Sequence, residues 1–262
     1  MADVERREIA ETCAQSGCGV SSPIRAVFFD VGGTILRVKP SVGHVYASEA
    51  ARAGHPVDPA AVNRAFRAAW TRSQYRRRAA GFVTSDDVLR REWREIVSDT
   101  FDGLIPGAVV PGVFEKLYEH FASAVPWTVE GEAVALFRRL RSRGVHVGLL
   151  SNWDSRLETV LSHLGVRGEF DSVVVSHYVG LEKPHAAMFE AAERASAVDP
   201  ISTLIVGDSY EHDIEPAIAR GWTAIWVDSG TPSVCVPNSV VKRDTFEEAA
   251  LLLSQLLSPT VS

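Results

Sequence analysis

IRAVFFDVGGT, residues 24–34, decides the fold. A short apolar, β-forming run ends in an acid, Asp30, and Gly32 and Gly33 stop it sharply. The reading is a buried strand that delivers a carboxylate into a glycine turn. Toward the C-terminus the pattern recurs, with apolar runs VHVGLLS (145–151), SVVVS (172–176), TLIVGD (203–208) and TAIWVD (223–228). Helical stretches at 131–143, 155–164, 185–197 and 212–220 separate them, and a last amphipathic helix covers about 246–257. Alternating β and α with near-continuously apolar strands predicts a parallel sheet covered by helices on both faces.

Between these two parts, residues 37–126 read as helices without a convincing buried strand. One helix opens near Ser41, carries Val42, Val45, Tyr46 and Ala50, and stops at Gly54. Asp58-Pro59 is an N-cap followed by proline at the first helical position, and Val62, Ala65, Phe66, Ala69 and Trp70 then recur at helical spacing. Thr84 or Ser85 caps a third helix with Val88, Leu89, Trp93, Ile96 and Val97 on one face. Val113, Phe114, Leu117 and Phe121 mark a fourth. Four helices with short connections make a small bundle. Trp70, Tyr75 and Trp93 are expected in its core, and Arg76-Arg77-Arg78 on a solvated face.

The chain has 262 residues, enough for a substantial core without disulfides or structural metal. Its 27 Lys+Arg against 33 Asp+Glu leave a formal charge of −6, which supplies no basic field for nucleic acid or anionic lipid. Cys13, Cys18 and Cys235 are too few and too scattered for a disulfide framework, so a cytoplasmic setting is expected. Residues 1–22 are polar and contain no apolar block of signal-peptide length, which predicts a flexible tail. No later stretch reaches the length of a membrane span. Only four lysines occur, Lys39, Lys116, Lys183 and Lys242.

In an open parallel sheet, ligands bind beyond the carboxyl ends of the strands. Four such ends carry polar groups: Asp30 with VGGT, Ser151 with Asn152, Lys183 beyond the 172–176 strand, and Asp208 with Asp213. Acids, a hydroxyl, an amide and a lysine converging on one rim suit a divalent metal and an anion. Carboxylates fit Mg²⁺, which keeps several waters and takes one or two carboxylates plus phosphate oxygens. Nucleophilic catalysis by an aspartate is then chemically reasonable.

With these four motifs in order, the sequence resembles the haloacid dehalogenase-like hydrolase superfamily over nearly all residues after 23. Asp30-Val31-Gly32-Gly33-Thr34 is similar to its first motif, Ser151-Asn152 to the second, Lys183-Pro184 to the third, and Gly207-Asp208 with Asp213 to the fourth. The helical insert resembles the α-helical cap of the first cap class. The resemblance implies an α/β fold with a Rossmann-like parallel sheet core, 23–36 and 127–262, and a four-helix cap, 37–126, inserted after the first strand. It also implies Asp30 as nucleophile and Lys183 as its catalytic partner. Gly33, Thr34, Ser151 and Asn152 would hold phosphoryl oxygens, and Asp30, the Gly32 carbonyl, Asp208 and Asp213 would hold Mg²⁺. A small phosphorylated metabolite is the expected substrate, and a monomer or homodimer the expected state.

One position departs from the pattern. Phosphatases of this family carry a second aspartate two residues after the nucleophile, where it moves protons; here Gly32 stands there. Losing a general acid/base costs on the order of 10²–10⁴ in rate. Four readings follow: a phosphatase that is slow, limited to good leaving groups, or supplied with a proton by the cap, His44 being one candidate; a dehalogenase, disfavoured by Asp208 and Asp213; a carbon–phosphorus hydrolase, disfavoured because residues 40–115 contain no lysine; and a catalytically silent binding module. His177, His185 and His212 fall near the rim without ligand spacing.

Overall fold

The structure, a computed structural model, describes residues 23–228, 230 and 236–256. The tail expected over 1–22 lies outside them. Strand β1 (Ala26–Phe29) is buried on both sides, as its unbroken apolar sequence requires. Parallel to it run β4 (His146–Ser151), β5 (Ser172–Val175), β6 (Thr203–Gly207), β7 (Thr223–Val227) and β8 (Val240–Arg243), in the order β5-β4-β1-β6-β7-β8. β1 is central, and the winding reverses between it and β6. The carboxyl ends of these two strands therefore open a crevice, and Asp30 and Asp208 stand at its edges.

Alternation along β1 sends its side chains to opposite layers. Val27 and Phe29 pack with α5 (Ala133–Ser142), α6 (Arg156–His163) and α10 (Phe246–Leu256) through Phe137, Leu140, Leu161 and Phe246. Ala26 and Phe28 face α8 (Ala186–Ser196) and α9 (Glu215–Ala219) through Met188, Phe189 and Ala217, with Ile214 and Trp222 flanking α9 in the same layer. Each fully buried phenylalanine contributes roughly 1.5–3 kcal/mol of transfer free energy, so the strand carrying Asp30 is among the most firmly held segments of the sheet.

The four expected helices of the insert are α1 (Val42–Arg52), α2 (Pro59–Ala79), α3 (Asp86–Phe101) and α4 (Val110–His120). Ser41, Asp58 and Ser85 cap the first three through side-chain oxygens that accept backbone N–H groups. Tyr46, Val62, Phe101, Phe114 and Leu117 form their own core.

Two features depart from the sequence reading. A ribbon, β2 (Leu36–Val38) antiparallel to β3 (Trp127–Val129), joins insert and sheet, so Arg37 and Val38 belong to paired strands rather than to a helical segment. Three-residue strands give too little alternation to register as a period. β8, likewise unforeseen, is a half-polar edge strand whose Lys242 and Arg243 leave no apolar run. A short helix α7 (Ser176–Val179) follows β5. No helix among the described residues is long and apolar enough to cross a membrane.

Candidate active site

Lys183 is the hub. It is 2% exposed, and its ammonium donates to Asp30 Oδ1 at 2.7 Å, Asp213 Oδ1 at 2.5 Å and the Leu150 carbonyl at 2.8 Å. All three of its protons are thereby placed. Asn152 sets the lysine's backbone: its Oδ1 accepts from Lys183 N at 2.7 Å and its Nδ2 donates to Lys183 O at 2.9 Å. Ser151, at the end of β4, reaches Asp30 Oδ1 at 3.5 Å, the outer limit of a hydrogen bond. Asp30 N donates to Val206 O at 2.9 Å, which continues the β1–β6 pairing into the site.

Oxygens of Asp30, Asp208 and Asp213 lie within 4.8 Å of one another. Two glycines permit this crowding. A Cβ on Gly33, whose φ is +89°, would sit 2.3 Å from Asp208 Oδ2, and one on Gly207 would sit 2.5 Å from Asp213 Oδ2. Gly32 differs: its φ is outside the left-handed region, and an added Cβ would meet only Trp153, at an ordinary 3.7 Å. Backbone geometry therefore leaves room for a side chain at position 32.

Burial, reinforced by Asp213 and opposed by Lys183, raises Asp30 to about 6. Desolvation at the cleft floor, with Asp30 and Asp213 beside it, pushes Asp208 up to about 8. Burial alone would lower the Lys183 ammonium, but Asp213 and Asp30 more than reverse this and hold it above its ordinary value. Three carboxylates share one fixed cation, so negative charge is in excess at the floor. The donor set is all oxygen and fits a hard divalent cation such as Mg²⁺.

Not every expected group reaches the cleft. Thr34 is fully buried and does not line it, and the Gly33 N–H is already donated to Leu36 O at 3.0 Å. Asp213 is also more enclosed than a rim ligand, since its Oδ2 accepts from Ser209 N at 3.1 Å. His44 is exposed, contacts Ser41 Oγ and does not line the cavity. His185 caps α8 through Nδ1, at 3.2 Å from Ala187 N, which accounts for its presence beside the lysine motif. His177 faces Asp86 across the insert–sheet boundary at 3.3 Å. His212 does line the cavity; its Nδ1 is 2.9 Å from Ser209 Oγ, and burial lowers its pKa.

Above the floor a cavity of about 640 Å³ separates the helical insert from the sheet. Trp93 packs against the insert's core as expected and also lines the cavity; Trp70 lines it outside that core, and Tyr75 is exposed. Arg77 is a second correction. It is 6% exposed, with Nε 2.6 Å from Glu92 and Nη1 3.7 Å from Glu182, the residue preceding Lys183. The same boundary carries Thr84 N to Gly180 O at 3.0 Å and Glu182 N to Phe82 O at 2.9 Å. Sequence spacing gave no signal for this cross-link, because the residues it joins across the boundary are about 100 positions apart.

Burial raises Glu182 to about 7 against the partial opposition of Arg77. Its contribution to stability is therefore full below its ordinary pKa of 4.5 and is lost as the pH rises through 7. The shift corresponds to at most about 3 kcal/mol. Glu182→Gln should flatten this decline: denaturation at pH 5 and pH 8.5 is expected to show the variant gaining on wild type at the higher pH. Parallel pH profiles for the two proteins would contradict the account.

Comparison with known proteins shows the family and the fold. The family model described as haloacid dehalogenase-like hydrolase matches residues 24–221. Haloacid dehalogenase-like hydrolase domain-containing protein 3 of Homo sapiens is 32% identical over 240 residues, covering 89% of this chain and 94% of the relative. Among solved structures, L-2-haloacid dehalogenase from Xanthobacter autotrophicus superposes with a TM-score of 0.66 at 18% identity, covering 88% of this chain and 98% of that one. A HAD phosphatase from Thermococcus onnurineus gives 0.57 at 20% identity, covering 88% and 98%. At these identities the two structures speak for the fold alone.

Proposed function

The chain belongs to the haloacid dehalogenase-like hydrolases, and from that premise we propose that it is a Mg²⁺-dependent phosphomonoesterase that acts on a small phosphorylated metabolite through an aspartyl-phosphate on Asp30. The observation that carries the reading is the cavity floor, where a carboxylate nucleophile, a locked ammonium and two further acids converge.

Asp30, Asp208 and the Gly32 carbonyl would hold the metal, with Asp213 behind them. When bound, Mg²⁺ would neutralise the excess carboxylate charge and polarise a phosphoryl oxygen. Lys183 occupies Asp30 Oδ1, which leaves Oδ2 as the attacking atom. Attack forms an Oδ2–P bond and breaks the P–O bond to the leaving oxygen. Water then cleaves the aspartyl-phosphate, releasing inorganic phosphate and restoring Asp30. The Lys183 ammonium opposes the charge that accumulates on the phosphoryl group without moving, because its three bonds are already made. Ser151 and the Asn152 N–H would receive phosphoryl oxygens, while the Asn152 side chain keeps the lysine in place.

Phosphate release from a panel of monoesters tests the reading: turnover should require Mg²⁺, stop with EDTA and return on adding the metal. Metal-independent chloride release from 2-chloropropionate, with no phosphate released from any ester, would instead establish carbon–halogen chemistry.

A further inference from the structure

The cavity combines two features that neither the fold nor the floor requires. Four of the chain's six tryptophans, Trp70, Trp93, Trp127 and Trp153, line it, together with Phe66 and Phe121. They form two runs, Phe66–Trp70–Trp93 with ring centroids 6.3 and 5.7 Å apart and Phe121–Trp127–Trp153 at 5.5 and 5.0 Å, and Tyr46, which also lines the cavity, joins them at 5.6 Å from Phe66 and 6.1 Å from Phe121. Trp70 is 37% exposed, so part of its ring stays uncovered although Phe66 and the Arg77 guanidinium, 5.4 Å from its centroid, lie against it. Such a wall favours a flat apolar group by offset or edge contacts. Against it, the only carboxylates among the described lining residues are Asp30, Asp208 and Asp213, all committed to the floor, and the one histidine among them, His212, has its Nδ1 held 2.9 Å from Ser209 Oγ. Position 32, where the family resemblance implies a proton-moving aspartate, holds glycine although a side chain would fit.

We propose that the substrate is the phosphate ester of a phenol-type hydroxyl: the ring sits against the tryptophan wall, and its oxygen departs without a proton from the protein. This rests on the phosphatase reading and narrows it. Attack by Asp30 breaks the P–O(aryl) bond, the electron pair leaves with the oxygen as a phenolate, and solvent later protonates it. A phenol ionises near pH 10, as tyrosine does, whereas an alkyl alcohol ionises about five to six units higher, near water. An unassisted phenolate is therefore a competent leaving group at this site and an alkoxide is not. The aromatic wall and the missing acid thus select the same class of compound independently.

Four probes separate ring recognition from leaving-group chemistry. Phenyl phosphate has both features, benzyl phosphate the ring without the leaving group, acetyl phosphate the leaving group without the ring, and glycerol 3-phosphate neither. With Mg²⁺, kcat should be about 10²–10⁴-fold higher for phenyl than for benzyl phosphate, and KM at least tenfold lower for phenyl than for acetyl phosphate. Gly32→Asp should raise benzyl turnover far more than phenyl turnover. Trp70→Ala should raise KM for phenyl more than for acetyl phosphate. Benzyl or glycerol phosphate matching phenyl phosphate in wild type would overturn the proposal. If no ester is hydrolysed, the phosphatase reading fails, and tryptophan fluorescence titration with phenylphosphonate against methylphosphonate decides the wall: tighter binding of the phenyl compound sustains ring recognition, equal binding removes it.

Discussion

Asp30→Asn should abolish turnover while leaving the fold intact, a loss on the order of 10⁴–10⁶ in kcat if the residue is the nucleophile. The amide has the shape of the carboxylate but not its reactivity. Stability should not fall at pH 8, because burial raises the Asp30 pKa to about 6, so the carboxylate that is ionised at pH 8 is less favourable in the fold than in the unfolded chain, and the neutral amide does not carry that cost. Lys183 keeps Asp213 and the Leu150 carbonyl as partners in the variant. Phosphate release and a thermal melt on one preparation separate the two effects. Wild-type turnover in a folded Asp30→Asn protein would remove the nucleophile assignment; lost turnover with a collapsed melt would locate the defect in folding.

Lys183→Met is expected to damage both properties. Methionine replaces much of the buried volume but leaves Asp30 and Asp213 facing each other without the cation that now bonds to both. Breaking a buried pair by removing one partner costs about 3–5 kcal/mol. Because the stranded carboxylates escape their charge by taking up protons, the deficit should be largest at pH 8 and shrink toward pH 5. Urea denaturation at the two pH values measures this difference. A pH-independent deficit would mean that lost packing, not stranded charge, is the cause. Turnover should be lost at both pH values, since the phosphoryl group would meet the carboxylate floor unscreened.

Much of the fold was legible because it obeys local rules. The apolar run 26–29 could only be a strand buried on both faces, and the capping residues Ser41, Asp58 and Ser85 stand where three helices begin. The floor was legible for a related reason: strand ends in a parallel sheet converge, so Asp30, Ser151, Lys183 and Asp208 were foreseeable as neighbours from position along the strands. Thr34 was not, because a residue adjacent in sequence to a site can still turn its side chain away from it. The β2–β3 ribbon and β8 escaped notice because short or half-polar strands take their stability from partners far along the chain.

What the sequence determined by itself is the α/β class, the four-helix insert and the presence of glycine at position 32, where the family resemblance implies an aspartate. What only the tertiary structure decided is the use of the insert. Trp70 and Trp93 have the helical spacing of core residues, and nothing in that spacing tells the inside of a bundle from the wall of a cleft. Likewise Arg77 reads as one of three solvated arginines until Glu92 and Glu182 are brought to it. Periodicity fixes which residues share a face of an element; what lies against that face depends on contacts between distant parts of the chain, which no local pattern encodes.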